Sequence, residues 1–112
     1  MSEFTFLFRG TPPTSPEEMQ KVMEKWVAWF KELGAKGYIK DPGHPLERSG
    51  KVVKGQQKIV NDGPYAESKD IVGGYTLIEA RDLDHAVEIS KGCPILDVGG
   101  SVEVRPIRIL DM

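Results

Sequence analysis

At 112 residues, with 39% hydrophobic and 29% charged side chains and a formal net charge of −2, the chain suits one globular domain, 1–112, with a single core. A pI near 5.7 excludes the basic face that a nucleic-acid partner requires. No apolar run reaches the roughly 18 residues of a membrane span, Met1-Ser2-Glu3-Phe4-Thr5 is unlike a secretory signal, and the single Cys93 has no intramolecular disulfide partner, so a cytoplasmic protein is expected.

Residues 3–9 place Phe4, Phe6 and Phe8 on one side and Thr5, Leu7 and Arg9 on the other, a period of two that predicts a strand covered on both faces. A Gly/Pro/Thr loop follows. Ser15 then opens the clearest helix, with Pro16 at its first position and Glu18 three residues after the cap. Met19, Val22, Met23, Trp26, Trp29, Phe30 and Leu33 fall in a stripe of about 120°. Core packing is the expectation for that stripe, with a tryptophan-lined pocket as the alternative. Gly34 is expected to end the helix.

Gly37-Tyr38-Ile39-Lys40 predicts a short strand and Asp41-Pro42-Gly43-His44-Pro45 a rigid loop. Val52-Val53 and Ile59-Val60, flanking Lys54-Gly55-Gln56-Gln57, predict a hairpin. Residues 71–80 make the longest strand candidate. Asp82 is a helix cap with Asp84 in the first turn, Gly92-Cys93-Pro94 ends that helix, Val98-Gly99-Gly100 is a turn, and residues 101–109 form the last strand. The order β-α-β-(hairpin)-α-β is a ferredoxin-like split βαβ pattern with an extra hairpin, an α+β class.

The densest chemistry lies in Asn61-Asp62-Gly63-Pro64-Tyr65-Ala66-Glu67-Ser68-Lys69 and the following Ile71-Val72-Gly73-Gly74-Tyr75. Asp62, expected just past a strand end, can bond amides two residues on. Gly63 is kept out of the helical region by Pro64, whose own φ is fixed. The stiff turn aims Asp62 and Tyr65 in set directions. Asp62 either caps its own turn or works as an acid or base. Gly73-Gly74 inside a strand marks a bulge or a close backbone approach.

Asp62-Gly63-Pro64-Tyr65-Ala66-Glu67-Ser68-Lys69-Asp70 resembles the signature of the YCII-related, or DGPF, family, with Tyr65 in place of the usual Phe. Gly73-Gly74-Tyr75, Asp82-Leu83-Asp84-His85-Ala86, Gly92-Cys93-Pro94-Ile95 and Gly100-Ser101-Val102-Glu103-Val104-Arg105-Pro106-Ile107 follow that family's run in order. The resemblance implies a dimeric α/β barrel, in which the sheet of one ferredoxin-like protomer packs against a second copy. It also implies kinship with small-molecule enzymes, among them a dehydrochlorinase-like activity on chlorinated aromatic intermediates with a proposed His/Asp centre. The first helix of this chain holds no histidine; the two histidines are His44 and His85.

Metal-ligand spacings and the GxGxxG phosphate loop are absent from the sequence, so no metal and no cofactor are expected. Cys93 reads as a small buried apolar residue and His85 as a solvent-facing histidine. Two function classes follow. One is a cofactor-free lyase, hydrolase or isomerase with Asp62 and His44 catalytic and Tyr65, Glu67, Lys69, Tyr75 and Arg105 holding the substrate, in a cleft near a homodimer interface. The other is a non-catalytic module binding a small ligand in the same cleft.

Overall fold

The computed structural model describes residues 1–11, 13–65 and 70–110. The alternating first segment forms β1 (Ser2–Arg9) and buries Phe4, Phe6 and Phe8. Ser15 caps α1 (Pro16–Ala35), its hydroxyl accepting a hydrogen bond from the Glu18 amide at 3.1 Å. Gly34 does not end this helix, which runs one residue further. Gly37, at φ +77°, takes the terminal role instead. Its amide bonds the Gly34 carbonyl at 3.1 Å and the Tyr38 amide bonds the Leu33 carbonyl at 3.0 Å, the paired bonds of a Schellman ending.

β2 (Ile39–Pro45) absorbs the segment expected to be a loop. Pairing with β5 (Val72–Ala80) overrides the local Pro/Gly signal, and two irregularities in register, between Ile39 and Asp41 and between Asp41 and His44, accommodate the residues that fit the ladder poorly. β3 (Gly50–Lys54) and β4 (Ile59–Gly63) make a separate two-stranded ribbon in which Lys51 faces Asp62 and Val53 faces Val60. Asp62 therefore lies inside a strand, not beyond its end. Asp82 caps α2 (Leu83–Ser90), accepting from the His85 amide at 2.8 Å. A 3-10 segment, Pro94–Val98, then ends in Gly99 at φ +81°. β6 (Ser101–Pro106) stops three residues earlier than expected, with one further bond beyond it from the Ile107 amide to the Glu3 carbonyl at 3.0 Å.

The four-stranded sheet runs β2-β5-β1-β6 with every neighbouring pair antiparallel. The chain is thus α+β with both helices on one face: Trp29 and Leu33 of α1, Ala86 and Ile89 of α2, Cys93 and the Phe4/Phe6/Phe8 and Ile78/Ala80 sides of β1 and β5 share a single core. The rings interlock, Phe6 stacking on Trp29 with centroids 6.2 Å apart and Phe8 meeting Trp26 edge-on at 4.8 Å. The other face of β1 carries Thr5 and Leu7, half-buried and without a helix over them. In the protomer, one face of β1 is covered and the other is not.

Candidate functional site

α1 meets the sheet with its C-terminal half only. Trp29 and Leu33 are buried, whereas Met19 and Met23 on the same stripe, and Val27 beside it, are about half exposed or more. Where the first turns of the helix stand off, a cavity of about 520 Å³ opens between α1, the Pro42–Leu46 run and the start of β5, with Phe8 and Trp26 at its inner wall and Ile95 and Val98 closing one end. The stripe read as core is therefore core in its second half and cavity wall in its first.

Glycines allow β2 and β5 to approach each other here. A Cβ on Gly74 would lie 3.2 Å from the His44 carbonyl oxygen and 3.3 Å from Pro45 Cα, and one on Gly43, at φ +69°, would run into the Tyr75 carbonyl. Gly73 falls at a register shift, since Phe8 pairs with Gly74 and Arg9 with Val72. Both readings of the glycine pair are realised, a bulge at Gly73 and a close approach at Gly74. The buried Thr76 hydroxyl holds the bulged strand by donating to the Pro42 carbonyl at 2.9 Å.

Few polar groups reach this cavity. His44 and Tyr75 contribute to one wall, and their rings meet edge to face with centroids 6.2 Å apart. His44 is exposed, which puts it at the rim. The two residues are cross-strand partners, and Tyr75 alternates with the buried Gly74 and Thr76, so their rings belong to the helix-free side of the sheet. The register continues from Tyr75 through Leu7 to Glu103, with Leu77, Thr5 and Arg105 in the next row. Arg48 also lines the cavity and donates to the Gly10 carbonyl at 3.2 Å.

The expected site residues divide into three groups. His44 and Tyr75 come together at the β2/β5 edge that borders the cavity, with their rings on the helix-free side of the sheet. Arg105 shares their helix-free sheet face on a farther strand. It lies 3.5 Å from Glu103, whose other oxygen accepts from Arg9 Nε at 3.1 Å and Nη2 at 2.9 Å. Asp62 and Tyr65 sit on a different surface, a depression of about 160 Å³ formed with Val52, Lys54, Asn61 and Pro64. The Asp62 carboxylate is 93% exposed and accepts from Lys51 Nζ at 2.8 Å, so within one protomer its partner is a cross-strand lysine. Glu67 and Lys69 lie outside the described residues.

Arg48, Met19, Met23, Ile95 and Val98 were not anticipated as cavity residues. The Met19/Met23 extension of the stripe, one turn beyond what a sheet of short strands can cover, is the signal that pointed to them. Among the described residues, no group of three or more His, Cys, Asp or Glu could hold a metal ion. Cys93 is buried beneath α2, and burial pushes its thiol up to about 12, which leaves it un-ionised near neutrality and a poor nucleophile. Among the described residues, no helix is long and apolar enough to cross a membrane.

The domain is thus an α+β fold with an apolar cavity set between a helix and a bulged sheet edge. Residues 4–111 match the YCII-related domain, and the chain belongs to that family. An uncharacterized protein, R00369, from Rhizobium meliloti (strain 1021) is 37% identical over 54 residues, which are 47% of this chain and 44% of the relative; the match spans less than half the length of that protein. Among solved structures, the 5-chloro-2-hydroxyhydroquinone dehydrochlorinase TftG from Burkholderia phenoliruptrix AC1100, in complex with 2,5-dihydroxybenzoquinone, has a similar fold. The TM-score is 0.55 at 18% identity, covering 95% of this chain and 93% of that one.

Proposed function

We propose that this YCII-related protein binds a small, largely apolar molecule in the cavity between α1 and the β2/β5 edge, and that it acts on it as a cofactor-free enzyme of lyase, hydrolase or isomerase type. The observation that carries this reading is the cavity itself. At about 520 Å³ it falls within the roughly 300–1,000 Å³ of small-molecule sites, and its walls are apolar apart from a few groups gathered at one side. His44 is the acid or base at the rim, an imidazole that offers one donor and one acceptor nitrogen for moving a proton. Tyr75 braces it, and the Arg48 guanidinium adds positive charge near the Gly10 carbonyl. The similarity of fold to a dehydrochlorinase supports an enzyme on this framework, without transferring that enzyme's substrate.

The protomer in this reading is ferredoxin-like and forms half of a homodimeric α/β barrel. The helix-free face, with Leu7, Tyr75 and Leu77 between the Arg9–Glu103–Arg105 charges and the His44 edge, packs on a second copy and brings the cavity rim close to the interface. Arg105 then acts at the edge of that interface, and Asp62 reaches a cavity only from a neighbouring protomer. A second reading, a non-catalytic ligand-binding module, is favoured by the engagement of Asp62 with Lys51.

Calorimetric titration with 2,5-dihydroxybenzoquinone, the small ring bound by the structural neighbour, tests the cavity. Saturable binding that weakens at least tenfold in the cavity-filling Met23→Trp variant is expected; equal binding by both proteins overturns it. Solvent deuterium entering the bound compound, observed by NMR and lost in His44→Ala, marks the enzyme. Binding with no such exchange marks the module.

A further inference from the structure

The ribbon formed by β3 and β4 has almost nothing to rest on. Among the described residues no other element makes more than slight contact with it, and Val53, Ile59 and Val60 are each more than half exposed. A lone two-stranded ribbon is marginal in water, and three β-branched side chains displayed on one are the mark of a contact completed elsewhere. The chain spreads to match: its radius of gyration is 15.6 Å with extents of 47 × 46 × 19 Å, against about 13 Å for a compact domain of this size.

The same chain has a second apolar surface in need of cover. Met19, Met23, Val27, Leu46 and Val98 at the cavity mouth are all exposed. The two surfaces are complementary in charge as well. The ribbon carries Lys51, Lys54 and Lys58 against the single Asp62. The first ten residues of α1 carry Glu17, Glu18 and Glu24 against Lys21 and Lys25, and Lys25 is turned away to Asp97 at 3.6 Å. A two-fold pair satisfies both surfaces at once, because each copy offers what the other lacks. Reach is sufficient: a five-residue strand extends about 17 Å, more than the roughly 10–12 Å width of a helix.

We infer that the β3–β4 ribbon is an arm that works in trans, closing the cavity mouth of a second copy of this chain and carrying Asp62 to the rim of that cavity. The ribbon's own geometry selects the face. Val53 and Val60 lie opposite each other, and Lys51 and Asp62, two residues along each strand, stand on the same side. One face thus presents an apolar pair to the methionines of the mouth and a carboxylate beside it. This rests on the cavity being the functional site, and it makes that site incomplete in a monomer. The arm also accounts for the place of the Asp62-Gly63-Pro64 segment in the chain, at the root of the element that crosses to the neighbour.

The test is cross-linking between two differently tagged chains, one Val53→Cys and the other Met23→Cys or Val27→Cys, mixed, allowed to exchange and treated with a short bis-maleimide. The native Cys93 is buried and silent. The expected product is a covalent heterodimer that needs both introduced cysteines and disappears when Val60→Glu is added to the arm. Homodimers of the Val53→Cys chain alone, in which arms pair with arms, overturn the inference, as does the absence of any intermolecular product. Because this readout involves no ligand, loss of quinone binding in Met23→Trp together with no cross-link overturns the arm and leaves the cavity standing; a cross-link without quinone binding does the reverse.

Discussion

Cys93 shows how far a single side chain can be read from its surroundings. Desolvation pushes its thiol from 9.0 to about 12, with a bond from the Ile95 backbone opposing the shift. The folded state therefore holds the proton over a window in which the unfolded chain has released it. The unfolded chain binds fewer protons there, so stability falls as pH rises from about 9 toward 12, by up to about 1.4 kcal/mol per pH unit; below 9 the thiol makes no pH-dependent contribution. Urea unfolding across pH 8 to 11 is expected to show this slope, and Cys93→Ala to flatten it relative to wild type. A slope identical in the two proteins would mean that the thiol is reached by water in the fold.

α1 divides into halves with different duties, and tryptophan substitutions separate them. Trp29, buried between Phe6 and Phe8, is expected to cost about 3–5 kcal/mol on replacement by Ala. Trp26, only partly buried and shared between the core and the cavity wall, should cost less and weaken quinone binding more. Ser15→Ala is expected to cost about 1 kcal/mol through the lost cap. Urea midpoints and calorimetric affinities for the three variants check the division; a Trp29→Ala variant as stable as Ser15→Ala would show that the ring cluster is not the core.

What was legible in the chain follows from the range of the interactions involved. Ser15, Pro16 and Asp82 act on amides three residues away, and the Val/Ile ribbon needs only a short turn, so all were readable locally. The Pro42–Pro45 run was misread because its strand character comes from β5, some thirty residues on. Gly34 and Gly37 were equally good helix stops by composition, and only the paired bonds to Leu33 and Gly34 decide between them. At the candidate site, the glycine pair foretold the close approach of two strands, and His44 and Tyr75 were both named. That they would meet each other while Asp62 stood apart on a ribbon depends on sheet register, which no local signal encodes.

The whole chain is a thin body with one covered sheet face, and a homodimer is its expected state. An obligate interface that covers the second face would bury roughly 2,000 Å² or more. Light scattering at micromolar concentration is expected to give about twice the 12.5 kDa chain mass. A stable monomer would leave the half-buried Leu7 and Leu77 row without a purpose.

The way the sheet ends at its two sides limits how copies of this chain can meet. β2 and β6 are the outer strands. Along β2 the ladder is interrupted twice, at a stretch containing Pro42 and Pro45, and β6 finishes at Pro106. The β2 border offers no continuous row of amides and carbonyls to an incoming strand, whereas β6 lacks an amide only at its last residue. Lateral growth of the sheet is blocked at the β2 border, so copies of this chain that meet there are expected to do so through sheet faces and not edge to edge.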